Sequence, residues 1–252
     1  MQSYIWLLAA LFLPLFPLSM VFNSVYQRLS MPLIRFVLII AWPFPGIWIL
    51  HEGNTQAPDW LIYWALATAL LYAFRAISVK EVTMWSGYLA TSAWAMGWIL
   101  FIVDDGVNEL SFHVLSFALP LAVMSLLLGE LIHRYESAYA GIVSGVAVAQ
   151  PRLSGLIIMA MMAAIASPLF PGFFSMLQII TTLVITYPLV TTGLLLVWLI
   201  WSWSGIRLLQ ELLVGPALPV KYRDISRARA VSYGSLIVLL LLSGLYLSGV
   251  LL

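Results

Sequence analysis

The sequence predicts a polytopic bundle of membrane-spanning α-helices, and three observations support this all-α fold class. Of its 252 residues, 63% are hydrophobic and only 8% are charged, whereas soluble domains carry about 25% charged residues. The apolar residues form runs of about 20, the length that a helix needs to cross a bilayer. The run from Arg152 to Leu194 carries no further charge and is about twice that length, so it holds more than one span.

The lengths of the apolar runs, and the polar, proline and glycine residues that interrupt them, divide the chain into eight spans joined by short connections. The first run has no Lys or Arg before it and no small-residue cleavage site, so we interpret it as a retained span rather than a signal peptide. The longest polar connection, 211–230, contains two prolines and is typical of a surface loop. We expect a single transmembrane domain over residues 1–252. The predicted spans are 4–25, 32–50, 60–77, 84–103, 110–133, 153–186, 188–210 and 231–251.

The sixth predicted span is expected to be a broken helix, with the break near 167–172. Pro168 and Pro171 lack a backbone N–H and clash with the preceding turn. Because lipid cannot hydrogen-bond the carbonyls that a break frees, we expect protein to pack around it on all sides. The break is either a plain proline kink or, as in transporters, the mark of an ion or substrate site.

Charge segregation predicts the orientation of the chain. All eleven Lys and Arg fall in or beside the odd-numbered connections, whereas the second and fourth connections carry acidic residues and no Lys or Arg. The positive-inside rule therefore places the basic loops in the cytoplasm and both termini outside, in a multi-pass protein of the inner, cytoplasmic-type membrane. The basic residues are Arg28, Arg35, Arg75, Lys80, Arg134, Arg152, Arg207, Lys221, Arg223, Arg227 and Arg229. The acidic residues of the second and fourth connections are Glu52, Asp59, Asp104, Asp105 and Glu109.

Composition also narrows the chemistry that this chain can perform. The formal charge is +1 with no basic run, so we expect no nucleic-acid partner. There is no cysteine, and the three histidines show no metal-ligand spacing. With no nucleotide-binding motif and no nucleophile–base pair, we expect no cofactor, no metal and no catalytic residue in this chain alone.

Four sequence segments carry a resemblance to a known family. Residues 89–97 (LATSAWAMG) and 112–119 (FHVLSFAL, continued by 126–134) precede the broken segment 145–176, which ends SPLFPGFFSM; LVGP at 213–216 and DIS at 224–226 follow. Their order and spacing resemble the C-terminal half of the antiporter-like membrane subunits. This family is shared by respiratory complex I (NADH-quinone oxidoreductase), Mrp cation/proton antiporters, membrane-bound hydrogenases and inorganic-carbon accumulation complexes.

The resemblance implies a shortened member of this family. Its members contain two inverted helical repeats, and this chain has room for only the second repeat with its flanks. The resemblance divides the chain into two opening spans (1–58), an antiporter-like second-repeat region (59–230) and a final span (231–252). It also implies that the partners are other membrane subunits of a multi-subunit complex within the lipid bilayer.

The resemblance fails at the residues that would relay protons. After its P-x-x-x-G-F-x-S motif the family carries Lys or Glu, where this chain has Met176. The family's histidine before M-G is replaced by Ala95, and the second histidine of its H-x-x-x-H pair is replaced by Phe117. We therefore interpret Ala95, Phe117 and Met176 as lost relay positions.

Four polar residues remain as candidates for a relay or for partner contacts. Glu130 lies four residues before Arg134, a spacing that favours an ion pair between them. A partner contact and the entry to a proton path are the other roles considered for Glu130. His113 is expected at the outer interface, with a relay as the alternative. Gln178 is expected to bridge helices by hydrogen bonds rather than to coordinate an ion.

These observations leave three hypotheses for function. The first is a non-conducting scaffold or docking subunit of a proton- or cation-coupled energy-transducing complex. The second is a proton-conducting subunit that uses Glu130 and His113, or a path shared with a partner. The third is membership in an oxidoreductase or carbon-uptake complex whose catalysis resides on another subunit.

Overall fold

The computed structural model describes residues 5–53, 57–104, 107–216 and 223–251, and its regular elements are helices. Lys221 and Asp105, which belong to the charge pattern, lie outside these residues. The helices are α1 (Ile5–Phe12), α2 (Ser19–Arg28), α3 (Pro32–Ala41), α4 (Phe44–Glu52), α5 (Leu61–Ser78), α6 (Val82–Asp104), α7 (Val107–Tyr135), α8 (Val146–Ala149), α9 (Pro151–Ala164), α10 (Pro171–Leu183), α11 (Pro188–Leu213) and α12 (Arg227–Leu251).

The chain is a multi-pass membrane protein by the length and composition of its helices. Within the described residues, six helical segments are long and apolar enough to cross a bilayer. One of them combines α3 and α4, which are separated only by Trp42 and Pro43. The six segments are Pro32–Glu52, Leu61–Ser78, Val82–Val103, Val107–Tyr135, Pro188–Leu213 and Arg227–Leu247.

The expectation that 4–25 forms one continuous span is wrong. The segment is divided into α1, which ends at Phe12, and α2, which begins at Ser19. Pro14 and Pro17 lie between the two helices, and neither residue can donate the backbone hydrogen bond that continues a helix. The chain therefore has a first break between α1 and α2, in addition to the expected second break near 167–172.

Tryptophan side chains occupy the backbone carbonyls that this first break frees. The indole N–H of Trp98 donates to the carbonyl of Leu13 at 2.9 Å, and that of Trp64 donates to Phe16 at 2.8 Å. Thr68 Oγ1 accepts the N–H of Phe16 at 3.2 Å. The carbonyls of Leu13 and Phe16 thus have protein partners in place of the helical hydrogen bonds that the break removes.

The expected break near 167–172 is confirmed between α9 and α10. Ala166 and Leu169 adopt positive φ angles of 57° and 79° there, and the indole N–H of Trp198 donates to the carbonyl of Ile165 at 3.2 Å. Protein does not enclose the break on every side, because Pro168 and Leu169 are exposed while Ala166 is buried.

Helix α6 lies at the centre of the bundle, where it packs against α2, α5 and α7. Its three large indoles, Trp85, Trp94 and Trp98, are fully buried. Burying such large aromatic side chains makes a major contribution to core packing. Helix α12 packs on α7, α9 and α10 at the outside of the bundle, with many of its apolar residues exposed.

The basic residues of the described chain gather where α2, α5, α7 and α11 end and α3, α6, α9 and α12 begin. We call this the basic end. Tertiary contacts join its connections: Arg207 Nη2 donates to the carbonyl of Val79 at 2.7 Å. Asp224 accepts the first N–H groups of α9 from Arg152 and Leu153, as an N-terminal capping carboxylate does.

Candidate functional site

His113 lies in the interior of the bundle, where protein covers it on all sides. Its ring is fully buried, with Nδ1 2.6 Å from Ser175 Oγ of α10 and Nε2 2.8 Å from the carbonyl of Ala93 of α6. One ring nitrogen donates and the other accepts in a neutral imidazole, so both contacts are satisfied without a charge. The position of His113 near the start of α7 contained no information on how α6 and α10 cover its ring.

The three positions interpreted as lost relay sites are fully buried and apolar. Ala95, Phe117 and Met176 are each 0% exposed. The ring of Phe117 lies 5.1 Å from that of His113 and 5.3 Å from that of Trp201, measured between ring centres. Two aromatic rings in tilted, edge-to-face contact thus lie beside the buried histidine, where a second polar side chain could have continued a hydrogen-bonded path.

Glu130 sits in a three-donor cluster near the basic end. Arg134 Nη1 donates to both its carboxylate and its backbone carbonyl, as the spacing of four residues predicts. Two further donors come from α12: Arg229 Nη1 lies 3.2 Å from Oε1, and the Tyr233 hydroxyl lies 3.1 Å from the same oxygen. Sequence reasoning missed Arg229 and Tyr233, because only the folding of α12 against α7 brings them to Glu130.

The structure does not bring the candidate relay residues together. His113 and Glu130 are on one helix, 17 residues or about 25 Å apart at 1.5 Å per residue. Gln178 is half-buried, and its side chain makes no hydrogen bond to any described residue, so the expected helix bridge is not observed within them. Between His113 and Glu130, α7 contributes only hydroxyl groups, at Ser116 and Ser125.

A seam of neutral polar side chains joins α2 to α5 and α6, and sequence reasoning missed it. Asn23 Nδ2 donates to Thr91 Oγ1 at 2.8 Å, while the Ser19 hydroxyl lies 2.9 Å from that of Tyr72. The Tyr26 hydroxyl extends the seam towards the basic end. A signal was present in the sequence, because polar residues at 19, 23 and 26 fall on one helical face.

Arg35 is a buried cation at the basic end of this seam. Its side chain is almost fully enclosed; Nη1 lies 3.4 Å from Thr83 Oγ1, and the guanidinium lies 5.7 Å from the centre of the Tyr26 ring. Within the described residues it forms no ion pair. The cation–π contact offsets part of the cost of burying this charge.

The described residues do not assemble a metal site: no group of three or more His, Asp or Glu is placed to hold an ion. The arrangement therefore consists of one buried neutral histidine, one carboxylate neutralised by arginines, and a seam of hydroxyls and an amide. These groups form internal hydrogen bonds. They do not form a continuous row of titratable side chains from one end of the described bundle to the other.

Solved structures provide a comparison for the fold. A chain of respiratory complex I from Thermus thermophilus matches with a TM-score of 0.82 and 21% identity over 96% of this chain. A chain of the Mrp complex from Dietzia sp. DQ12-45-1b matches with a TM-score of 0.83 and 17% identity over 95%. The archaeal membrane-bound sulfane sulfur reductase matches with a TM-score of 0.80 and 19% identity over 96%.

The chain has the fold of membrane subunits from these complexes. The resemblance to antiporter-like subunits, first indicated by motif order, is thus confirmed at the level of the fold. This chain spans only about half of each matched chain, namely 54% in the complex I structure, 55% in the Mrp structure and 51% in the reductase. No protein-family model matches the sequence, and no curated protein matches it.

Proposed function

We propose that this chain is a non-conducting scaffold or docking subunit of a proton- or cation-coupled membrane complex. The observation that carries the proposal is the packing around His113, where Ala95, Phe117 and Met176 are apolar and fully buried. A charge crossing hydrocarbon needs titratable groups or water along its way. Apolar side chains at these positions favour a dry interior.

Two further features support a closed interior. The carbonyls of Leu13 and Ile165, at the two breaks, are occupied by the indoles of Trp98 and Trp198 rather than left available to an ion. The buried guanidinium of Arg35 adds a positive charge near the basic end, and such a charge opposes the entry of cations. Both features favour an interior that is closed to cations.

The proposed partners are other membrane subunits of one complex. The matched chains come from multi-subunit membrane assemblies, and they are about twice as long as this chain. In this proposal residues 59–230 correspond to the second repeat of the antiporter-like subunits, and a separate chain contacts the side where the first repeat would stand. The basic end faces the cytoplasm and the termini face the opposite side.

Ion flux through liposomes tests the non-conducting role. Purified chain is reconstituted at several protein-to-lipid ratios, and the decay of an imposed proton or sodium gradient is followed with a fluorescent indicator. We expect the decay rate of protein-free liposomes at every ratio, with a channel-forming peptide as the positive control. A decay that accelerates with protein content, and slows again in the His113→Gln variant, contradicts the proposal.

The second candidate function is proton conduction, and the burial of His113 against Ser175 beside the second break favours it. In this alternative Glu130 accepts protons at the basic end and a partner chain completes the path. Glu130→Gln in the intact complex separates the two functions. The scaffold role predicts unchanged transport in assembled complexes, whereas the conducting role predicts loss of transport without loss of assembly.

A further inference from the structure

A groove opens at the basic end between α3, α7 and α12. Its volume is about 330 Å³. One part of the wall is apolar, formed by Pro32, Leu33 and Leu126, and the remainder is polar. The polar lining residues are Glu130, His133, Arg229 and Tyr233.

The polar side of the groove carries more positive than negative charge. Glu130 is the carboxylate of the cluster, and both Arg134 and Arg229 pair with it. The side chain of Glu130 is 12% exposed, whereas that of Arg229 is 59% exposed. Because one carboxylate faces two guanidiniums, the cluster retains a net positive charge that an external anion can neutralise.

Arg229 has donors to spare. Its Nη1 donates to both oxygens of Glu130, at 3.2 and 3.3 Å, while its Nε and Nη2 make no hydrogen bond to the described residues. A guanidinium presents several N–H groups in a fixed fork, which suits the oxygens of a phosphate. Arg229 can therefore hold Glu130 with one nitrogen and a second anion with the others.

The apolar wall continues from this charge along the side of the bundle. Leu33 is 66% exposed on α3, and Leu126 lies one helical turn further from the basic end than Glu130 on α7. In a bilayer these side chains face acyl chains. The groove thus combines a cation at the depth of the headgroups with an apolar surface directed towards the hydrocarbon region.

We propose that this groove binds the anionic headgroup of a membrane phospholipid. The phosphate accepts hydrogen bonds from Arg229, and one acyl chain lies along Leu33 and Leu126. Basic pockets between transmembrane helices are sites of this type. The bound lipid links α3 to α12 across α7, and the proposal is independent of whether the chain conducts ions.

Lipid-dependent thermal unfolding of the purified full chain in neutral detergent tests the proposal. Phosphatidylglycerol is added in one series and phosphatidylcholine with the same acyl chains in another, and retained lipid is counted by native mass spectrometry. We expect phosphatidylglycerol alone to raise the unfolding temperature and to remain bound. Equal effects of the two lipids overturn the proposal. If inorganic phosphate or glycerol 3-phosphate gives the same stabilisation, the site recognises a soluble phosphate and the lipid assignment is wrong.

Three variants locate the binding site. Arg229→Gln should weaken phosphatidylglycerol binding by about tenfold, the effect of losing a charge-assisted hydrogen bond. Arg28→Gln is the matched control, since Arg28 is also exposed at the basic end but does not line the groove. An equal loss in both variants means non-specific attraction and overturns the assignment.

Glu130→Gln gives an effect in the opposite direction. Removing the internal counter-ion leaves the exposed guanidinium of Arg229 free for the lipid phosphate, so this variant should bind phosphatidylglycerol more tightly than the original chain and gain more stability from it. Weaker binding in Glu130→Gln contradicts the proposal. The same holds if an acidic segment of a partner subunit, rather than lipid, is cross-linked to this groove in the native complex.

Discussion

At each of the two breaks, a single hydrogen bond from a tryptophan side chain stabilises the backbone. Trp98 donates to Leu13 and Trp198 donates to Ile165, in each case to a carbonyl that no helix turn uses. A buried carbonyl without a donor is costly, because neither lipid nor apolar side chains can replace the lost hydrogen bond. Each indole therefore stabilises one backbone conformation at a break, whereas the prolines only interrupt the helix there.

The variant Trp98→Phe isolates this contribution, since it keeps an aromatic ring but removes the indole N–H. We expect the free energy of unfolding to fall by about 1–3 kcal/mol, the cost of leaving a buried polar group unpaired. The measurement is denaturant unfolding in detergent micelles. Trp48→Phe is the control, because Trp48 is 66% exposed, and it should change stability far less. If Trp98→Phe and Trp48→Phe lower the free energy of unfolding equally, the loss comes from the smaller ring volume and not from the buried hydrogen bond.

Ser175 provides a buried hydrogen-bond partner for His113 in the same way. The variant Ser175→Ala leaves Nδ1 of a fully buried imidazole without its partner. We expect a loss of about 1–3 kcal/mol in the free energy of unfolding, with no change of ion flux in liposomes. The control is Ser235→Ala, which removes a hydroxyl that bonds only within exposed helix α12. An ion leak in Ser175→Ala would contradict a dry interior around His113.

At the scale of elements, α12 depends on one close backbone approach to the second break. A Cβ atom at Gly244 would overlap the carbonyl of Leu169, whereas one at Gly234 would meet no atom within 4 Å. The absence of a side chain at Gly244 lets α12 lie directly on the connection between α9 and α10. This is the role that small residues play where membrane helices pack closely.

Substitutions at Gly234 and Gly244 of α12 are therefore predicted to change stability in opposite directions. Gly244→Ala forces α12 away from Leu169 and should lower the unfolding temperature. Gly234→Ala fills open space and should raise stability by up to about 1 kcal/mol, because alanine is the better helix former. Thermal unfolding of both variants, in one detergent, provides the comparison. Tolerance of Gly244→Ala would mean that α12 is loosely held there.

These elements also show what the sequence could and could not predict. The second break was predictable because Pro168 and Pro171 interrupt a run too long for one span. The first was missed because the apolar run around Pro14 and Pro17 has the length of a single span, and hydropathy alone does not register a proline break. The break could nevertheless have been predicted, because Pro14 and Pro17 lack the backbone N–H that continues a helix.

The candidate site divides in the same way. The pair of Glu130 and Arg134 follows from helical spacing, so the sequence alone was sufficient to expect it. The contacts of Glu130 with Arg229 and Tyr233 join residues about a hundred positions apart, and the burial of His113 depends on α6 and α10. Such contacts depend on tertiary packing, about which the periodicity of a single segment contains no information.

At the scale of the whole molecule, the distribution of charge over the two ends predicts how the bundle lies in the membrane. Basic residues of the described chain collect where α2, α5, α7 and α11 end, while Glu52, Asp59 and Glu109 lie towards the opposite end. Such an asymmetry directs insertion, because positively charged loops are retained in the cytoplasm. The scaffold, the conducting alternative and the lipid groove all share this orientation.

Single-cysteine labelling tests the orientation directly, since the chain has no native cysteine. Tyr139→Cys places an exposed thiol in the connection after α7 at the basic end, and Asp59→Cys places one before α5 at the opposite end. With a membrane-impermeant maleimide, we expect Asp59→Cys to react in intact cells with an opened outer envelope. Tyr139→Cys should react only after the inner membrane is permeabilised, because the positive-inside rule places its loop in the cytoplasm. The cysteine-free chain is the blank, and the reverse labelling pattern would invert the assignment of both ends.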